Sequence, residues 1–175
     1  MADDRELWER ICQGDARAFG GFYLENVSRL HGFLSQLLGD KQTAEDVAQE
    51  AFLQLWRRPN GFHPEKGSLR AYLFGIGRKR AADWWRQYQP TTHEQETEKR
   101  GLQEETLSLI GDAFSRLDTA DRALLWLREV EGQSHAELAE ILEIPVGTVK
   151  SRLFAARKEL RSIWHGRSAG KKVQA

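Results

Sequence analysis

The sequence predicts an all-α fold of two small helical units joined by a flexible linker. Three observations carry this. Apolar residues recur at intervals of three and four along most of the chain, the spacing of one helix face. No stretch alternates β-branched and polar residues as a half-buried strand does. Across residues 88–105, YQPTTHEQETEKRGLQEE, apolar residues nearly vanish, which marks a solvated tether.

The elements follow in order. Residues 3–13 read as a short helix closed by Gly14, and Asp15 is placed to cap the next. Phe19, Phe22, Tyr23, Val27, Leu30, Leu34 and Leu37 then form a long amphipathic stripe that stops at Gly39. A third helix covers residues 43–57, with Thr43 as its cap, Asp46 three residues on, and Val47, Ala51 and Leu55 facing inward. Residues 59–67, rich in Pro, Gly and Asn, read as a loop, and residues 68–87 as a fourth helix. These elements make a first unit, 1–87. After the linker at 88–105, a second unit spans 106–165, and 166–175 is expected to be a disordered basic tail. In the second unit Leu107, Ile110, Phe114 and Leu117 make one stripe, and Leu124, Leu127 and Val130 the next.

Residues 134–164, SHAELAEILEIPVGTVKSRLFAARKELRSIW, have the layout of a helix-turn-helix DNA reader. Leu138, Ala139 and Leu142 face inward on the first helix. Pro145 ends it, Gly147 turns the corner, and Thr148 caps the second helix. Val149, Leu153, Ala156, Leu160 and Ile163 form a buried stripe there. Lys150, Ser151, Phe154, Arg157, Lys158 and Arg161 fall off that stripe, where a recognition helix meets base edges and phosphates.

The 175 residues carry 26 Lys/Arg and 26 Asp/Glu, so net charge alone says nothing of a polyanionic partner. Its distribution does: residues 57–87 hold eight Lys/Arg against two Asp/Glu, and residues 143–175 repeat that ratio. Two basic zones with an acidic stretch between them suit two contacts on one long polyanion. One cysteine, Cys12, excludes a disulfide framework. His31, His63, His93, His135 and His165 lack metal-ligand spacing, so neither a metal nor another cofactor is expected. Gly75 and Gly77 fall inside a helix, where close packing explains them better than a phosphate loop. No nucleophile elbow is present, and enzymatic activity is not expected. No apolar run approaches the roughly 20 residues of a membrane span, and the acidic N-terminus lacks a signal-peptide pattern; the expected location is the cytoplasm.

The first unit adds two features. Asp46, Gln49 and Glu50 share an exposed helix side suited to a basic partner surface, although an ordinary solvated face has the same look. Along residues 69–86, LRAYLFGIGRKRAADWWR, aromatics alternate with cations: Tyr72, Phe74, Arg78, Lys79, Arg80, Trp84, Trp85 and Arg86. Rings on which bases stack, beside charges that meet phosphates, suit single-stranded nucleic acid, while core packing is the alternative for several of the rings.

Taken together, DARAFGGFY, AEDVAQEAFLQLW, GSLRAYLFGIGRKRAADWWR and EGQSHAELAEILEIPVGTVKSRLFAARKEL stand in an order that resembles bacterial sigma factors of the extracytoplasmic-function (ECF) group, the compact branch of the sigma-70 family. The resemblance covers residues 19–164. It implies a non-enzymatic subunit that binds core RNA polymerase at its clamp helices and flap, recognises promoter −10 and −35 elements, and helps melt the DNA. By position, Asp46, Gln49 and Glu50 would meet the clamp. The loop at residues 60–68 would cradle a flipped −10 base, with Asn60, Phe62, His63, Ser68, Tyr72, Arg78, Lys79 and Arg80 contacting that element. Thr148, Lys150, Ser151, Arg152, Phe154 and Arg157 would engage the −35 element as duplex. An anti-sigma factor is the implied regulator, and the acidic linker would occupy the polymerase's RNA path. The chain departs from the pattern at Lys79, often Asn; at Tyr72, often Trp; at Ala155, often Arg; and at Asp118, usually Pro. Two other readings share parts of this evidence. A helix-turn-helix regulator that never binds core polymerase would explain the second unit alone. A sigma mimic that titrates an anti-sigma factor would not need an intact reader.

Overall fold

In the computed structural model, residues 4–58, 61–87, 111 and 113–170 are described, the last five as backbone only. All the regular elements among them are helical: α1 (Asp4–Cys12), α2 (Ala16–Leu38), α3 (Lys41–Arg57), α4 (Leu69–Gln87), α5 (Thr119–Leu125), a π-helical turn (Trp126–Val130), α6 (His135–Leu142) and α7 (Val146–Gly170).

The central element is α2. Leu30, Phe33 and Leu34 along its stripe are fully buried. Burying each such side chain contributes about 1.5–3 kcal/mol before entropy is counted. Asp15 caps the helix, accepting from the amides of Arg17 and Ala18, and Gly39 ends it in the left-handed conformation at φ 74°. α3 packs against α2 through Ala44, Val47, Ala48, Ala51 and Leu55. α4 crosses α2 at Gly77, where an added Cβ would lie 2.9 Å from Leu30 Cδ1. Close helix packing is therefore what that glycine serves. Phe52 is buried among Phe19, Phe22 and Tyr23, and Phe33 packs on Phe74 with ring centroids 5.3 Å apart.

Several element ends differ from the sequence expectation. Asp40, not Thr43, caps α3: its carboxylate accepts from the Thr43 amide at 2.7 Å and the Thr43 hydroxyl at 2.6 Å. A carboxylate accepts two such bonds at once and outcompetes a hydroxyl for the cap. α6 starts with a reciprocal capping box, the Ser134 hydroxyl taking the Glu137 amide and the Glu137 carboxylate taking the Ser134 amide. Its most buried residues are Leu138 and Ile141, with Leu142 only half-buried. The corner between α6 and α7 is made neither by Pro145 nor by Gly147. Glu143 makes it at φ 55°, and it is the only non-glycine residue with positive φ among those described. Gly147 and Thr148 lie within the first turn of α7, whose first bond runs from the Val149 amide to the Pro145 carbonyl at 3.0 Å. Proline suits that place because it has no amide to leave unpaired. α7 also continues to Gly170, into the stretch expected to be disordered. No proline lies between Trp164 and Gly170, and lengthening an existing helix is far easier than starting one.

The linker at 88–105, together with Leu107 and Ile110, lies outside the described residues. The helices on either side of it share one apolar core, which runs from Trp8 through α2 and α4 to Ala156 of α7. α6 lies on α4, and α5 and the π-turn lie on α2. At the second contact an added Cβ on Gly32 would meet Trp126 Cζ2 at 3.1 Å.

Candidate nucleic-acid and polymerase interfaces

The recognition helix α7 divides as its pattern requires. Val149, Leu153 and Ala156 are buried against α5 and α6, with Leu160 and Ile163 half-buried. On the opposite side Thr148, Lys150, Ser151 and Arg157 are exposed, and the Phe154 ring is 69% exposed. An aromatic ring held outward on a helix so well anchored is available to a ligand, and a ring of this kind can pack on a thymine methyl. Ser151 donates its hydroxyl to the Thr148 carbonyl at 3.0 Å. Two of the candidate cations are already engaged. Arg157 pairs with Glu129 at 2.6 Å on the surface, and the half-buried Arg152 reaches Asp121 of α5 at 3.3 Å. Arg152 therefore ties α7 to α5, while Arg157 is free to exchange a weak exposed partner for a phosphate.

The aromatic-basic face of α4 is also assembled by its neighbours. Ser68 caps the helix, its Oγ accepting from the Ala71 amide at 3.1 Å, and the Asp4 carboxylate takes the Leu69 amide at 2.8 Å. Phe62, Tyr72 and Trp8 pack as a trio with centroids 5.4–6.2 Å apart. Phe62 is only 6% exposed, so its ring belongs to the core rather than to an open binding face. Burial in this trio raises the Tyr72 hydroxyl pKa. Gly61 touches the Tyr72 hydroxyl, leaving no room for a side chain there. His63 is exposed beside Glu65, and Asn60 lies outside the described residues. Arg80 donates to the Gln54 side chain at 2.8 Å and approaches Glu50 at 4.0 Å.

The structure adds what sequence reasoning missed: three carboxylates of the second unit that reach the first. Glu143 meets Arg78 at 2.7 Å and Lys79 at 2.6 Å, while the Arg78 Nε donates to the Ile141 carbonyl at 2.5 Å. Glu137 accepts the Ser68 hydroxyl at 2.5 Å. Glu131, with a side chain 3% exposed, faces Arg29 at 3.3 Å. Burial opposes ionisation of Glu137, but the Ser68 and Ser134 hydrogen bonds outweigh it and hold its pKa below the ordinary value. The Lys79 ammonium, aided by Arg78, holds Glu143 down as well. Only the S-x-x-E spacing of Ser134 and Glu137 marked any of this in the sequence, and that spacing reports the cap, not the contact. Between the units lies a cavity of about 580 Å³, walled by residues such as His63, Tyr72, Lys79, Glu140 and Pro145.

Asp46, Gln49 and Glu50 are all exposed on α3, as their spacing requires. Gln49 also lines a shallow 280 Å³ depression with Tyr23, Val27, His31 and Phe52. Among the described residues no cluster of His, Cys, Asp and Glu could hold a metal ion, and no helix is long and apolar enough to cross a membrane.

Comparison with known proteins agrees with this geometry. Residues 22–91 match the family model for sigma-70 region 2, and residues 107–160 match that for sigma-70 region 4. The chain is 31% identical to the ECF RNA polymerase sigma factor SigL of Mycobacterium tuberculosis over 157 residues, covering 84% of this chain and 89% of that protein. It is 28% identical to the RNA polymerase sigma-H factor of Pseudomonas aeruginosa over 176 residues, covering 90% and 91%. Among solved structures, CnrH in complex with the cytosolic domain of CnrY superposes with a TM-score of 0.72 at 26% identity, over 94% of this chain and 98% of that one. RpoE of Bartonella quintana, solved with the anti-sigma factor NepR, shares the fold at a TM-score of 0.70 and 22% identity, over 85% and 97%. Sigma factors are not enzymes, and two helical bundles carrying a region 2 and a region 4 make this chain a member of the ECF group of sigma-70-family RNA polymerase sigma factors.

Proposed function

We propose that this sigma factor docks on core RNA polymerase through Asp46, Gln49 and Glu50 of α3, and reads a promoter with two separate faces. α7 takes the −35 element as duplex through Thr148, Lys150, Ser151, Phe154 and Arg157. The α4 face, with His63, Ser68, Tyr72, Arg78, Lys79 and Arg80, takes the −10 element as it melts. In this reading residues 1–87 and 106–165 are the two working units, 88–105 tether them, and two tethered weak contacts act together through effective concentration. The observation that carries the reading is the recognition helix: one side sealed into the core, the other presenting Lys150, Ser151 and a largely exposed Phe154. An anti-sigma factor would regulate it, as the CnrH–CnrY cytosolic-domain complex and the RpoE–NepR complex suggest by likeness. Its place is the bacterial cytoplasm, where polymerase works. Gel filtration with core polymerase tests the docking: stoichiometric co-elution is expected, and separate elution would remove α3 from this role.

A further inference from the structure

We propose that in the unbound protein the second unit is an internal stand-in for DNA phosphate, closed over the α4 face, so that promoter DNA must displace it. The inference rests on α4 being the −10 face, as read above. The side chains that would hold a backbone phosphate are already occupied by carboxylates. Glu143 takes Arg78 and Lys79 together, at 2.7 and 2.6 Å. About ten residues back, roughly 15 Å along the helix, Glu137 accepts the Ser68 hydroxyl at the α4 N-terminus. A helix N-terminus with a capping hydroxyl favours an anion, whether carboxylate or phosphate. One group cannot serve both partners, so closure and −10 binding compete.

Two details show that the contact is built rather than incidental. Glu143 holds a left-handed backbone, φ 55°, that favours glycine, yet its carboxylate is what bridges the units. Gly32 leaves room for Trp126 where an added Cβ would lie only 3.1 Å from the indole, so the second unit seats on α2 without a gap. The latch is also reversible. Glu143 and Lys79 are exposed, and surface ion pairs are weak, so a polyanion can outcompete them.

The test uses the full chain and a fluorescent oligothymidylate of about twenty nucleotides at low salt, read by anisotropy. Gly32→Leu pushes Trp126 away without changing charge. Glu143→Gly removes the bridging carboxylate and suits the backbone there, so it keeps the fold. Glu140→Gln removes a neighbouring exposed charge that pairs with no cation among the described residues, and it controls for simple repulsion. Gly32→Leu and Glu143→Gly should each bind about fivefold more tightly than wild type, the gain from releasing a closed state that dominates by a similar factor. Glu140→Gln should stay near wild type, and the radius of gyration of Gly32→Leu should rise. Binding no tighter than wild type by both open variants overturns the latch. Equal gains from Glu140→Gln and Glu143→Gly, with none from Gly32→Leu, overturn it too. If Arg78→Ala with Lys79→Ala weakens every protein equally while the open variants show no gain, the DNA face stands and only the latch falls. Absence of binding by any of the proteins removes the −10 face and the latch together.

Discussion

Arg152 of α7 reaches Asp121 of α5 at 3.3 Å, so one cation in the middle of the recognition helix is turned toward the protein. Asp121 is the more buried partner, with a side chain 20% exposed. The pair fixes the tilt of α7 on α5 and thereby the direction in which Lys150 and Phe154 point. Arg152→Ala should lower stability by up to about 1 kcal/mol. It should leave the salt dependence of duplex binding unchanged. Urea melting and salt titration together check this, and a flattened salt slope would put Arg152 on phosphate instead.

Lys150→Ala with Arg157→Ala should do the reverse. Both side chains are exposed, and Arg157 has only the surface partner Glu129 to give up. Each lost phosphate contact reduces the slope of log K against log salt by about 0.9. The double variant should therefore bind promoter duplex more weakly and with a slope smaller by about 1.8. Fluorescence titrations at several salt concentrations measure it, and an unchanged slope counts against this face.

Much of the fold was legible because local chemistry decides it. The α2 stripe, the Asp15 cap, the Gly39 stop and the Asp118 cap are all short-range devices, and each is where the spacing put it. The exposed side of α3 and the split of α7 into buried and open sides follow from helical periodicity alone. The errors arose where two residues compete or where distant segments meet. Asp40 and Thr43 both can cap, and the carboxylate wins. Glu143 holds the corner of the reader although Pro145 and Gly147 are the usual markers of a turn. Phe62 reads as a base-stacking ring until Trp8, from the far end of the unit, covers it. No spacing rule links Glu143 to Arg78 and Lys79, because that pairing exists only once α6 lies on α4.

Asp46 lies on the exposed side of α3 with Gln49 and Glu50. Asp46→Arg should abolish co-elution with core polymerase. Stability should stay within about 0.5 kcal/mol, since no buried group changes. Gel filtration and thermal melting check both parts, and retained co-elution would take this helix out of the interface.

Acid should loosen the fold through identifiable carboxylates. The Ala18 amide and Arg10 hold Asp15 below its ordinary pKa of 3.8, and the Thr43 hydroxyl and amide do so for Asp40. Glu137 and Glu143 lie below their ordinary 4.5. For each, the unfolded chain takes up protons first. The stabilisation is present in full above the ordinary values and is lost as pH falls through the lowered ones. Denaturation midpoints should be level from about pH 7 to about pH 5 and fall below that. A midpoint that rises on acidification would contradict the assignment.

The most direct measurement of the central claim is transcription by core RNA polymerase plus this protein on genomic DNA, with start sites mapped. The account predicts RNA beginning at a defined set of positions, each preceded by a shared pair of −35 and −10 sequences, and none without the protein. Start sites that do not change when the protein is added, or no RNA at any fixed position, would contradict it.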